Sequence, residues 1–176
     1  MKNILIIDDE EKLRSLLARI VKSEGFEVLE ASFLKSGYKK LEHNDIDLVL
    51  CDVKLPDGNG VDFVQKIKTN FPLTEVILLT SFGKISDDVQ AMKNGAFDYI
   101  VKGDDNDKII PLLYKALEKV QLIKKVKQLE KRIFNKYSFE TIIGKSKGLE
   151  QVIDLARKVP KTDSTALLTG ETGTGK

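Results

Sequence analysis

Strand-like runs alternate with segments of helical periodicity along the first 107 residues, and this alternation constrains the fold more than any other feature. The runs lie at Ile4–Ile7, Phe26–Leu29, Leu48–Cys51, Val76–Leu79 and Phe97–Val101. The run at Val76–Leu79 is entirely apolar, as expected for a strand that is covered on both faces. Five strands that alternate with helices predict an α/β domain with a doubly wound, five-stranded parallel sheet.

The segments between these runs carry apolar residues at helical spacing. They are marked by Leu13, Leu16, Leu17, Ile20 and Val21, by residues 34–42, by Val61, Val64 and Ile67, and by Val89 and Met92. Gly25 follows the first of these segments and Asn94-Gly95 the last, as glycine commonly does after a helix. The pattern therefore predicts four helices between the five strands.

Polar side chains stand where four of the apolar runs end. Asp8 and Asp9 follow the first run, Asp52 the third and Thr80 the fourth, and Lys102 follows the fifth. In an open parallel sheet, ligands bind beyond the carboxyl ends of the strands. Oxygen ligands suit Mg²⁺, and an ammonium group suits a phosphoryl oxygen. The sequence therefore predicts a site for a divalent cation and a phosphoryl group.

The segment DVKLPDGNG, residues 52–60, carries the pattern Asp-x-x-x-Pro-x-x-x-Gly. Together with the polar residues above, it resembles the receiver domain of bacterial two-component response regulators, over residues 1–120. The resemblance implies a flavodoxin-like fold in which Asp52 accepts a phosphoryl group from a sensor histidine kinase. It also implies that Asp9, Asp52 and the Lys54 carbonyl bind Mg²⁺ directly, with Asp8 acting mainly through water, while Lys102 neutralises phosphoryl charge.

Thr80 and Tyr99 resemble the switch pair of the same family. The resemblance implies that the Thr80 hydroxyl moves towards the phosphoryl group and that Tyr99 rotates inward to fill the space. Gly103 follows Lys102, where the family usually has proline with a cis bond. Because a cis bond before a residue other than proline costs about 2.5–4 kcal/mol, we expect a trans bond or a compensated strain.

A long helix is predicted from Asp107 to Phe134. Its first apolar series begins at Ile109, and a second series, at Leu122, Val126, Leu129 and Ile133, steps by four, three and four residues. The second series extends past the first domain, so we expect residues 108–136 to form a linker that dimerises as a coiled coil. Residues 115–136 contain eight basic and two acidic residues. A frayed basic tail, a solvated helix face and a nucleic-acid contact are the alternatives.

Residues 138–176 end in a phosphate-loop motif. A helix-like stretch from Gly148 to Val159 and a strand-like run at Thr165–Thr169 precede it, and the motif comprises Gly170, Glu171, Thr172, Gly173, Thr174, Gly175 and Lys176. Such a loop wraps phosphates with backbone N–H groups. The segment is similar to the opening of the AAA+ ATPase domain of sigma-54-dependent transcriptional activators, in the nitrogen-regulatory branch. This implies ATP binding in the intact protein only, with sigma-54 RNA polymerase and promoter DNA as partners through parts that lie beyond it.

Composition and charge indicate the class of protein and its cellular location. Residues 1–114 carry 15 basic and 20 acidic side chains, and the whole chain has a net charge of +2 with one cysteine. No apolar run is long enough for a membrane span and no signal peptide is recognisable, so a cytoplasmic protein is expected.

The receiver is expected to catalyse only its own phosphorylation. The alternatives are an NTPase whose first domain senses another ligand, and a binding module in which the carboxylates are structural.

Overall fold

Strands and helices alternate along the chain as the sequence predicts. The computed structural model describes residues 2–81, 90–103, 106–136 and 147–158. The strands are β1 (Asn3–Ile7), β2 (Glu27–Ala31), β3 (Leu48–Asp52), β4 (Lys54–Leu55), β5 (Gly58–Asn59), β6 (Glu75–Thr80) and β7 (Asp98–Val101). The helices are α1 (Glu11–Ser23), α2 (Leu34–His43), α3 (Gly60–Asn70), α4 (the helical residues 90–93), α5 (Asn106–Lys136) and α6 (Lys147–Lys158).

Five strands form one parallel sheet in the order β2-β1-β3-β6-β7. Every neighbouring pair is parallel, and the register places Asp52 opposite Leu79 and Thr80 opposite Val101. The prediction of a doubly wound, five-stranded parallel sheet is therefore confirmed. Since β1 and β3 lie side by side at its centre, the residues that follow them meet at one edge of the sheet.

The sheet separates two apolar layers. Alternate residues of a strand point to opposite faces, so Leu5 and Ile7 enter one layer while Ile4 and Ile6 enter the other. The first layer includes buried residues of α2 and α3, and the second includes those of α1 and α5. Burial on both faces explains why β1, β3 and β6 are nearly continuous apolar runs in the sequence.

Two local predictions need correction. The sequence predicts the second strand at Phe26–Leu29, but β2 starts one residue later and ends two residues later. Glu30 belongs to β2, and because β2 is an edge strand, its carboxylate can face Arg14 and Lys22 of α1. The sequence predicts no strand in the segment after Asp52, but β4 and β5 form an antiparallel hairpin there.

Helix ends follow the sequence signals more closely. Gly25 has a φ of +83°, and its N–H donates to the Lys22 carbonyl oxygen at 3.0 Å. This left-handed conformation favours glycine and ends α1 as predicted. The long helix predicted from Asp107 to Phe134 is also confirmed, as α5.

The chain divides into two compact units, Met1–Lys127 and Gln128–Lys176. In the second unit, α6 confirms the helix predicted near Gly148. The strand predicted at Thr165–Thr169 and the motif at 170–176 lie outside the described residues. Among the helices that the structure describes, none is long and apolar enough to cross a membrane.

Candidate phosphoryl and cation site

Asp8 and Asp9 leave the carboxyl end of β1 in different environments. Asp8 is fully buried, whereas Asp9 is exposed. The Asp8 N–H donates to the Ala31 carbonyl of β2 at 3.1 Å, and its Oδ1 accepts from the Glu10 N–H at 2.9 Å. The end of β1 is thus tied to β2 on one side and to the start of α1 on the other.

Asp52 ends the central strand β3 and is 6% exposed. The Lys102 ammonium lies 2.7 Å from Asp52 Oδ2 and 2.8 Å from Asp8 Oδ2. Lys102 follows β7, two strands away from β3, so the order of the sheet is what brings this cation to both carboxylates. The structure therefore brings together Asp8, Asp9, Asp52 and Lys102 at one edge.

Burial and charge oppose each other within this cluster. Burial raises the pKa of the Asp52 carboxyl; the hydrogen bond and charge of Lys102 offset only part of that rise, and the Asp8 charge adds to it. Burial alone would lower the pKa of Lys102, but its contacts with Asp52 and Asp8 outweigh burial and raise that pKa. Lys102 therefore stays charged, and the Asp52 carboxylate lacks full compensation.

The donor set fits a small, hard cation. Asp8, Asp9 and Asp52 each offer a carboxylate oxygen, and these three atoms lie within 4.8 Å of one another. Asp8 Oδ2 is buried, and apart from the ion pair with Lys102 it accepts no hydrogen bond within the described residues. Among the described residues, Lys102 supplies the single ammonium that pairs with this group of three carboxylates, which leaves an excess of negative charge. Oxygen ligands and such an excess suit Mg²⁺.

Thr80 lies between the strand of Asp52 and the loop of Lys102. It is 7% exposed at the end of β6, and its carbonyl oxygen accepts from the Lys102 N–H at 2.7 Å. Tyr99 of β7 is 37% exposed in this structure. The described residues contain no cis peptide bond, so the bond between Lys102 and Gly103 is trans, and Gly103 takes a φ of +97°.

Three residues of the segment after Asp52 fix the helices around the site through contacts that the sequence pattern does not predict. A Cβ on Gly60 would collide with the Asp52 carbonyl oxygen, so only glycine lets α3 begin this close to β3. Asn59 caps α3, since its side chain accepts from the Val61 N–H at 2.8 Å. Asp57 caps α2, accepting from the Leu34 and Lys35 N–H groups at 2.9 Å each. The glycine at fixed spacing was the one signal available.

Two further predicted groups have a different outcome. Lys54 starts β4 with an exposed side chain, and its N–H lies 3.4 Å from Asp52 Oδ1. Its carbonyl as a cation ligand stays a prediction. The nucleotide-binding motif at 170–176 lies outside the part of the chain that the structure describes.

Two protein-family models match this chain, and the first of them covers the residues of the site. Residues 4–114 match the model of the response regulator receiver domain. The chain belongs to the response regulators. Residues 142–176 match the model of the sigma-54 interaction domain, so the start of that second domain follows the receiver.

Similar proteins align either with nearly the whole chain or with its receiver part. A putative NtrX-like response regulator of Rickettsia felis is 32% identical over 99% of this chain. The beryllofluoride-activated NtrC4 receiver domain dimer has a TM-score of 0.65 at 33% identity, over 68% of this chain and 99% of that one. TrrA of Thermotoga maritima, solved with Mg²⁺ and beryllofluoride, has a TM-score of 0.61 at 29% identity, covering 66% and 99%. The chain spans 36% to 38% of the length of the curated relatives it matches.

Proposed function

We propose that Asp52 accepts a phosphoryl group from the phosphohistidine of a sensor kinase in a Mg²⁺-dependent reaction. The observation that carries the proposal is the Lys102 ammonium, which contacts Asp52 and Asp8 while three carboxylates converge. An Asp52 oxygen attacks phosphorus, its bond to phosphorus forms, and the bond from phosphorus to the imidazole nitrogen breaks. The electron pair of that bond leaves with the imidazole.

Each side chain has a distinct part in this proposal. Asp9, Asp52 and the Lys54 carbonyl would hold Mg²⁺ directly, and Asp8 would act mainly through water. When bound, Mg²⁺ supplies positive charge to the phosphoryl oxygens. Lys102 neutralises charge on the same oxygens from the side of β7. Because Asp8 and Asp52 are buried, their contacts with Lys102 are screened less by water and are therefore stronger.

The experiment is phosphorylation of the chain by acetyl phosphate with Mg²⁺, followed by intact-mass analysis. The wild type should gain about 80 Da, the mass of one phosphoryl group, and Asp52→Asn should gain none. Asp62→Asn is the matched control, because Asp62 is an exposed acid on α3. An equal gain on wild type and Asp52→Asn would refute the assignment. Chelation of Mg²⁺ should abolish the gain on wild type.

The switch is proposed to run through Thr80 and Tyr99. Thr80 is buried beside the site, while Tyr99 is 37% exposed, so an inward rotation would change its surroundings. The test is ¹⁹F-tyrosine NMR of the chain, with Tyr99→Phe to assign the resonance. Beryllofluoride with Mg²⁺ should shift the Tyr99 resonance in wild type and leave it in place in Thr80→Ala. The same shift in both proteins would contradict this relay.

Dimerisation is proposed through the exposed apolar stripe of α5. Its members are Leu122, Val126, Leu129 and Ile133, which are between 46% and 60% exposed. An apolar stripe at spacings of four, three and four is typical of a two-helix seam. Sedimentation of the chain should show association in wild type and in Gln128→Glu, an exposed polar control on α5. Leu129→Lys should be monomeric, and association equal to wild type would refute the seam.

The rest of the proposal concerns the intact protein. Residues 1–120 form the receiver, 108–136 the dimerising linker, and 138–176 the opening of an AAA+ domain. Phosphorylation of the receiver then controls assembly of the ATPase, which acts on sigma-54 RNA polymerase at promoter DNA. The match of residues 142–176 to the sigma-54 interaction domain supports this. ATP binding at 170–176 is expected only with the remainder of that domain, so calorimetry of this chain should detect no submicromolar nucleotide binding.

A further inference from the structure

Arg14 is a partly buried cation that contacts the backbone of the acidic pair. Its Nη1 donates to the Asp8 carbonyl oxygen at 2.6 Å, and its side chain is 13% exposed. On its other side, Nε lies 3.6 Å from Glu30 Oε2 of β2. A planar guanidinium has several N–H donors in a fixed fork, so one side chain can hold both partners.

The contacted carbonyl belongs to the peptide that joins Asp8 to Asp9. Because a peptide unit is planar, holding its oxygen also limits the direction in which the Asp9 Cα leaves. The Asp8 N–H is already held by Ala31, and the Asp8 Oδ1 by the Glu10 N–H. With Arg14 the segment is fixed at its amide, its carboxylate and its carbonyl.

We propose that Arg14 is a positioning residue, which sets the Asp8–Asp9 peptide so that both carboxylates face Asp52. This inference rests on the proposed Mg²⁺ site. Arg14 does not itself ligate the ion; it acts through the backbone of the residues that do. Glu30 orients the guanidinium from β2, and Lys22 lies 3.6 Å from the other Glu30 oxygen.

The direction in which Mg²⁺ affinity changes on removal of Arg14 distinguishes a positioning role from a purely electrostatic one. The guanidinium is positive and repels Mg²⁺, so a purely electrostatic role predicts tighter Mg²⁺ binding when Arg14 is removed. Positioning predicts weaker binding. Residues that orient metal ligands typically contribute about 10- to 100-fold to metal affinity, and we expect about tenfold for Arg14→Ala because the side chain reaches solvent.

The experiment is a Mg²⁺ titration of the whole chain. Backbone amide chemical shifts in NMR spectra measure the binding, and the same spectra verify the fold. Arg14→Ala should bind Mg²⁺ about tenfold more weakly than wild type. Arg14→Lys keeps a charge and a donor but loses the fork, so an intermediate affinity is expected. Arg19→Ala removes an exposed arginine from the same helix and should match wild type.

A wild-type affinity, or a tighter one, in folded Arg14→Ala would overturn the inference and leave the Mg²⁺ site standing. If Arg14→Ala does not fold, the same outcome in Arg14→Lys would overturn it. Failure of the wild type to bind Mg²⁺ saturably would refute the proposed function and this inference with it. A lower melting temperature alone would indicate only a structural role, so the affinity of the folded protein decides.

Discussion

Gly60→Ala would place a methyl group against the backbone of the proposed phosphoacceptor. The new Cβ would collide with the Asp52 carbonyl oxygen and lie 3.1 Å from the Asp52 carbonyl carbon and from the Val53 Cα. These are backbone atoms at the end of a strand paired on both sides, so they cannot rotate away. Because the Gly60 N–H also donates to the Val53 carbonyl at 2.8 Å, either that bond or the end of β3 must shift.

The expected loss of stability in Gly60→Ala is the difference between an overpacking penalty and a gain in helix propensity. Overpacking of this kind costs about 1–3 kcal/mol, and alanine regains up to about 1 kcal/mol of helix propensity. A net loss of about 1–2 kcal/mol should lower the melting temperature by about 2–8 °C in a chain of this size. Since the displaced backbone carries Asp52, phosphorylation by acetyl phosphate should also slow by about tenfold or more.

The assay combines thermal melts followed by circular dichroism with the rate of mass gain under acetyl phosphate. Gly148→Ala is the matched control, because this glycine also lies in the first turn of a helix and a Cβ there meets nothing within 4 Å. It should melt and phosphorylate like wild type. If Gly60→Ala behaved like Gly148→Ala in both measurements, the close approach of α3 to Asp52 would be irrelevant to the site.

Three further perturbations test other contacts. Asp57→Ala should lose about 1 kcal/mol of stability, because α2 loses its cap. Desolvation would raise the Asp57 pKa, but the hydrogen bonds from the Lys35 and Leu34 N–H groups outweigh it and lower that pKa. Thermal melts should therefore show the difference above pH 3.8, the ordinary carboxyl pKa, and lose it as the pH falls through the lower pKa of the folded state. Glu75→Gln should lower the free energy of unfolding in urea by about 2 kcal/mol. This is less than the loss of about 3–5 kcal/mol for breaking a fully buried ion pair, because its partners Lys68 and Lys119 reach water. Lys119→Ala, half exposed, should lose less than about 1 kcal/mol in the same assay; a larger loss for Lys119 than for Glu75 would contradict this ranking.

Sequence reasoning succeeded where one physical rule fixed the outcome over many residues. Apolar runs bounded by polar residues specify buried parallel strands, and parallel strands bring their carboxyl ends to one edge. That is why Asp8, Asp52 and Lys102 could be expected together although 94 positions separate the first from the last. Their contacts follow from strand order, whereas their chemical roles stay predictions that the experiments above address.

The missed features depend on single contacts that leave no periodic trace. The hairpin β4–β5 has strands of two residues, too short for any alternation to show. Asp57 caps a helix that starts 23 residues earlier, and only the folded chain shows that pairing. Arg14 looks like an ordinary charged residue on α1, because its contact with the Asp8 carbonyl depends on the bend after β1.

The two edges of the sheet show why acidic residues alone do not identify a cation site. At the amino-terminal edge, Glu75 is buried, but Lys68 and Lys119 both lie within 2.8 Å of it. Asp47 at that edge is likewise held by Lys124 at 2.7 Å. At the carboxyl-terminal edge, Asp8, Asp9 and Asp52 lie together, and among the described residues Lys102 is the one lysine that pairs with them. Carboxylates with their own lysines hold helices in place, and those in excess of lysine have negative charge left for a cation. The ratio of acid to base at each edge, which only the folded structure shows, therefore separates the structural acids from the proposed functional ones.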